Sequence, residues 1–190
     1  MNDLYELKQV AVRLKLKDVE PLYSEERIDT PEVATKIMAD VMKELDREHL
    51  AVLNLDSAGH VISFNIVSIG DINSTMVPVA NVFKAAILQN ASRIILMHNH
   101  PSSSNKISEQ DILATKKLMY ASVFMGIDVL DHIVVSGMTG ECYSMVRWDP
   151  DLFDKSNYTR TIDKVAESLS DKYERKDKNE EKKKEAGMVH

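Results

Sequence analysis

Two histidines one residue apart, then a serine and an aspartate three apart, are the residues whose types and spacing could do chemistry in this chain. His98 and His100 close the apolar run Ile94-Ile95-Leu96-Met97. A short apolar run of this kind predicts a buried strand. Side chains alternate faces along a strand, so His98 and His100 point one way and Asn99 the other. Their Cα atoms would then lie roughly 6.5 to 7 Å apart, and both rings could reach one ion at Zn–N distances of about 2.0 to 2.1 Å. Pro101 ends the strand because it cannot donate to a ladder. A polar loop from Ser102 to Ile107 leads to Ser108, where a helix begins with Asp111 in its first turn. Two neutral nitrogens and one carboxylate, with a fourth position left for water, make the ligand count of a catalytic zinc site rather than a closed structural one. The plainer alternative is that the histidines are polar residues at a strand end and Ser108/Asp111 is only a helix cap.

The elements that must position these residues are legible around them. Gln9 to Leu16 alternates, with Val10, Val12, Leu14 and Leu16 on one face, and predicts a half-buried strand. Asp18 to Ile28 reads as a loop. Thr30-Pro31 predicts a helix start, Thr30 as N-cap and Pro31 at the first helical position. Val33, Ala34, Ile37, Met38, Val41, Met42 and Leu45 then share a helical face. Leu50–Leu55 and His60–Val67 predict two strands joined through Ser57-Ala58-Gly59. Val79–Asn90 has helical spacing. After the histidine strand comes a helix from Ser108 to Met125, with Gly126 suited to the position past its end. Ile127–Val135 and Glu141–Val146 predict two more strands, with Gly137 and Gly140 at the turn. Beyond Trp148-Asp149-Pro150, the residues Ile162, Val165, Ala166, Leu169 and Tyr173 fit one amphipathic helix. From Glu174 the chain is almost wholly charged, which predicts a disordered stretch or a frayed helix. This divides the chain into an N-terminal strand and loop (1–30), a main domain (31–148), and a C-terminal helix with a charged tail (149–190).

Composition sets bounds. With 190 residues, 44% of them hydrophobic, there is material for one domain and its core. No apolar run approaches the roughly eighteen residues of a membrane span, and Met1-Asn2-Asp3-Leu4 opens no secretory signal. The single cysteine, Cys142, excludes an intramolecular disulfide and fits a reducing, cytoplasmic setting. A net charge of −6 argues against a broad nucleic-acid surface.

The pattern His98-x-His100, seven residues, Ser108, two residues, Asp111 resembles the signature of JAMM (JAB/MPN) metalloenzymes. Four stretches narrow the resemblance to the RadC-like bacterial branch: Arg47-Glu48-His49-Leu50, Val67-Ser68-Ile69-Gly70, His98-Asn99-His100-Pro101-Ser102, and Leu130-Asp131-His132-Ile133-Val134. The chain looks like the compact form, without the helix-hairpin-helix region of longer members. It departs from the usual pattern at Ser103, where the family often has glycine, and at Val79-Ala80-Asn81, where a Pro-Arg-Glu stretch is usual.

The resemblance implies an α/β, cytidine-deaminase-like fold, with a mixed, mostly antiparallel sheet flanked by helices. It implies Zn²⁺ held by His98, His100 and Asp111, with Glu48 as the acid/base group and Ser108 supporting the transition state. Such a site would make a metallopeptidase or isopeptidase. Zinc lowers the pKa of bound water to about 7 and polarises a carbonyl. Glu48 would move that water's proton to the leaving amine, with Glu44 and Asp46 as its nearest competitors. Ser108 could donate to the oxyanion or serve as N-cap to the Asp111 N–H. His132 with Asp131 reads as a structural pair rather than a second ligand set. The partners implied are a peptide or isopeptide substrate and no membrane. Two other readings stay open, a DNA-associated accessory protein of repair or mobile elements and a metal-binding scaffold without turnover.

Overall fold

The computed structural model describes residues 28, 30–70, 78–102 and 106–187, with backbone alone at 171 and 173–187. The strand expected over Gln9–Leu16 and nearly all of the following loop fall outside the described residues. The elements run in the order α1 (Pro31–Met42), β1 (His49–Leu55), β2 (Val61–Ile69), α2 (Val79–Leu88), β3 (Arg93–His100), α3 (Glu109–Met125), β4 (Asp128–Ser136), β5 (Cys142–Ser144) and α4 (Met145–Trp148). A 3-10 turn (Pro150–Phe153) and α5 (Lys155–Gly187) complete the series. Among the described residues no helix is long and apolar enough to cross a membrane.

The five strands form one mixed sheet in the order β2-β1-β3-β4-β5. Only β3 and β4 are parallel; the other neighbours are antiparallel. The parallel pair needs a crossover, and α3 supplies it. Helices cover both faces. On one, Val82, Phe83 and Ala86 of α2 and Leu118 and Met119 of α3 pack over Leu50, Val52, Ile94 and Leu96. On the other, Ala34, Met38, Ala39 and Met42 of α1 pack over Ala51, Leu53, Ile95 and Met97. Burial on both sides explains why β3 is a continuous apolar run rather than an alternating one. Even-numbered residues of β3 face α2 and α3, and odd-numbered ones face α1.

Local chemistry sets the boundaries. Thr30 caps α1 as expected, its hydroxyl oxygen accepting from the Val33 N–H at 3.4 Å, with Pro31 inside the first turn. The buried stripe of α1 is turned toward Ala39, which leaves Val41 exposed rather than in the predicted face. The last strand is shorter than Glu141–Val146. It stops at Ser144 because the Asp131 carboxylate takes the Val146 N–H at 3.0 Å and the Ser144 hydroxyl at 2.6 Å. The Ser144 hydroxyl oxygen then accepts from the Arg147 N–H at 3.3 Å, capping the single turn of α4. The charged stretch from Glu174 continues α5 as helical backbone to Gly187. Glu174/Lys178 and Glu180/Lys184 stand four apart there, a spacing that supports a helix without a core.

Candidate metal centre

The site lies at the carboxyl end of β3, where the sheet meets the start of α3. His98 Nε2 is 2.9 Å from His100 Nε2 and 3.1 Å from Asp111 Oδ1. His100 Nε2 is 3.6 Å from Asp111 Oδ2. One ligand atom from each residue lies within 4.8 Å of the other two, and this is the group of such residues found among the described ones. Tetrahedral ligands at about 2.0 to 2.1 Å from zinc stand about 3.3 Å apart. The three side chains therefore converge on one ion-sized point, and nitrogen with carboxylate oxygen is a donor set that suits zinc. All three are buried, His98 completely. Concentrating these polar groups in the interior is costly unless each is satisfied.

Asp111 is held by the helix it opens. Its N–H donates to Ser108 Oγ at 3.1 Å, while the Ser108 N–H and hydroxyl donate to Asp111 Oδ2 at 2.8 and 2.7 Å. This reciprocal capping box leaves Oδ1 toward His98. Burial alone would push the Asp111 carboxyl up. The neighbouring His100 and His98 rings, and after them the Ser108 N–H, outweigh it and hold the group well below the usual carboxylate range. Ser108 thus caps α3 through its hydroxyl oxygen, with its hydroxyl proton resting on Asp111.

Glu48 reaches this end of the sheet by register. Leu50 pairs with His98 in the antiparallel β1/β3 ladder, so Glu48 falls opposite His100, and alternation puts it on the ligand face. Its backbone is clamped from the other face. Asn99, completely buried, accepts from the His49 N–H at 2.8 Å and donates to the Arg47 carbonyl at 3.0 Å. The Gly70 N–H donates to the Glu48 carbonyl at 2.8 Å. Glu48 is half-buried, whereas Glu44 and Asp46 are exposed.

Gly137 braces the end of β3. Its N–H donates to the His100 carbonyl at 2.9 Å. A Cβ there would sit 2.8 Å from that carbonyl oxygen and 2.9 Å from the Pro101 carbonyl oxygen. Both are backbone atoms that cannot swing away, so the turn requires glycine for close approach.

His132 and Asp131 point to opposite faces and form no second ligand set. Asp131 holds Ser144 and Val146, as described above. His132 turns toward the metal centre, its Nε2 2.8 Å from His98 Nδ1 and its Nδ1 2.7 Å from Thr115 Oγ1. Burial, and after it the neighbouring His98, pull this imidazole down to about 3. The sequence predicts a structural residue paired with Asp131; the structure places its ring between His98 and Thr115. His49 and His60 play no part in the group. Their ring nitrogens lie against the Arg47 carbonyl at 2.9 Å and the Asp56 carboxylate at 3.1 Å.

Residues 28–149 match the model of the RadC-like JAB domain. A UPF0758 protein of Desulforamulus reducens is 41% identical over 108 residues, 57% of this chain and 48% of the relative. Another, of Desulfitobacterium hafniense, is 38% identical over 108 residues with the same coverage. A third, of Methanosarcina mazei, is 34% identical over 127 residues, 67% of this chain and 54% of the relative. The chain spans about half the length of these curated relatives.

Proposed function

The chain belongs to the RadC-like JAB family, and from that membership and its ligand geometry we propose that it is a zinc-dependent hydrolase of peptide or isopeptide bonds. The observation that carries this reading is the convergence of His98 Nε2, His100 Nε2 and the Asp111 carboxylate within 4.8 Å of one another, beside a glutamate of the same sheet face.

A zinc ion in this set supplies Lewis acidity toward a carbonyl and makes water reactive near neutral pH. The protein's own groups do the rest. Glu48 accepts the proton of the attacking water and delivers it to the leaving amine nitrogen, so that amide and water become carboxylate and amine with all protons placed. Asn99 keeps the Glu48 backbone in register with His100 while this happens. The Ser108 hydroxyl, 2.7 Å from the Asp111 carboxylate, rotates its O–H toward the developing oxyanion. His98 and His100 would hold the ion through their Nε2 atoms.

The test pairs metal analysis with turnover on a peptide library and on lysine-linked isopeptides. Glu48→Gln preserves size and one oxygen but cannot accept the proton. It should retain zinc and lose about 10² to 10⁴ in rate. Undiminished turnover in Glu48→Gln would remove this residue from the mechanism. Full zinc occupancy with no turnover by the native chain on any amide would favour the scaffold reading instead.

A further inference from the structure

β4 carries an irregularity whose consequence falls on the metal centre. Ile94 pairs with Val129, but the next β3 residue, Ile95, pairs with Asp131, so Leu130 is an extra residue in the ladder. Had the register continued unbroken, His132 would stand beside Met97 on the α1 face. The bulge shifts it beside Leu96, on the face that carries His98, since a one-residue slip exchanges the two faces of a strand. The packing shows the same change of parity. Val129 belongs to the core under α2 and α3, whereas Ile133 and Val135 belong to the core under α1. Bulges commonly re-aim a side chain beside an active site.

The re-aimed ring enters a chain of hydrogen bonds whose proton directions can be deduced. Thr115 has one hydroxyl proton. The nearer of its two acceptors is the Asp111 carbonyl at 2.7 Å, against the weak thioether acceptor of Met145 at 3.6 Å. With its proton placed on the carbonyl, Thr115 Oγ1 can only accept from His132 Nδ1, so that nitrogen bears a hydrogen. With its ring hydrogen on Nδ1, the buried His132, only 2% exposed, presents Nε2 to His98 as an acceptor. The contact at 2.8 Å therefore requires a hydrogen on His98 Nδ1. A neutral His98 protonated at Nδ1 has its lone pair on Nε2, the atom that faces His100 and Asp111.

We infer that His132 and Thr115 are positioning residues that fix the ring orientation and tautomer of His98, so that its Nε2 lone pair is presented to the metal. The inference rests on the metal reading given above. Metal-bound histidines usually donate their other N–H to a carboxylate, a carbonyl or a water; here the acceptor is a second imidazole. The chain closes on itself, because Thr115 ends at the backbone of Asp111. Two of the three ligands are thereby tied together from behind, one through its ring and the other through its carbonyl.

Zinc affinity measured by chelator competition on the full chain tests this without any turnover assay, with thermal unfolding of each variant run alongside. Thr115→Val keeps the shape but cannot accept from His132; Thr115→Ser restores the hydroxyl; His132→Gln removes the ring. The expected result is zinc binding about 10- to 100-fold weaker in Thr115→Val and His132→Gln, and near-native binding in Thr115→Ser. Nitrogen-15 shifts of the His98 ring give a second readout. They should show the Nδ1–H form in the native chain and in Thr115→Ser, and loss of that preference in Thr115→Val. Native affinity and an unchanged His98 tautomer in Thr115→Val and His132→Gln would overturn the inference alone. A native chain that takes up no zinc would overturn the metal reading and this inference with it.

Discussion

The two sides of the candidate site are built by different means. On the ligand side, two of the three residues that face the metal point, Asp111 and His98, are fixed by other side chains. The capping box holds Asp111, the Thr115–His132 relay holds His98, and the group is buried. On the Glu48 side, the side chain is half-buried and the fixing acts on the backbone, through Asn99 on both flanks and Gly70 on the carbonyl. The difference teaches what each side is for. A ligand set has to hold its geometry against the cost of burying three polar groups. A group that accepts a proton and hands it on needs its backbone root held at the right distance from the reacting atoms.

The largest expected effect lies on the ligand side. His98→Ala should lose stoichiometric zinc, and all turnover with it, because a two-ligand remnant cannot keep the ion against water. Elemental analysis of the purified variant reads this directly, and full retention of zinc would place the ion elsewhere.

Asn99→Ala should separate the two sides. It leaves the ligands untouched but frees the Glu48 backbone, so zinc content stays and turnover falls by up to about 10²-fold, the effect of misplacing a reacting group by about an ångström. It also leaves the His49 N–H without its acceptor, which costs about 1 to 3 kcal/mol in stability. Zinc loss in this variant would mean that the two sides are not independent.

A pH effect should follow from the ligand side alone. In the unfolded chain the His132 imidazole takes up a proton near pH 6.5, but in the folded chain only near 3. Between those values the unfolded state binds more protons, so stability falls as the pH drops. This group contributes at most about 1.4 kcal/mol per pH unit. Denaturant unfolding of zinc-free protein from about pH 7 to about pH 5 measures the slope. His132→Gln should flatten it, and an unaltered slope would assign the effect to other groups.

The smallest effect concerns the region that serves neither side. From Thr159 to Ser170, α5 is exposed apart from Ile162. Ending the chain after Tyr173 should change the unfolding free energy by no more than about 0.5 kcal/mol and leave zinc affinity as it is. A large loss of stability would show that the charged stretch docks on the body.

How much of this was legible in the sequence follows the same division. His98, His100 and Asp111 could be read together because a two-residue strand period and a three-residue capping box are local rules. Thr30, Pro31 and Gly126 were legible for the same reason. Glu48 was reached only through the family pattern, since its register opposite His100 depends on pairing between strands distant in the chain. The clamp by Asn99 was hidden likewise: alternation shows that it faces away from the ligands, not what it meets there. The place of His132 beside His98 is not legible in the sequence, because the bulge at Leu130 that turns its ring to that face depends on pairing with β3. The last strand ran too long on paper because nothing in Val146 itself reveals that Asp131 takes its N–H.

The central claim is that one zinc ion sits among His98, His100 and Asp111, with Glu48 beside its open position. Crystals grown with zinc, with anomalous difference density collected at the zinc edge, test this most directly. The account predicts a single strong peak within about 2.0 to 2.2 Å of His98 Nε2, His100 Nε2 and an Asp111 carboxylate oxygen, with the Glu48 carboxylate facing the remaining position. A peak at other residues, or no peak at these three in zinc-saturated crystals, would contradict it.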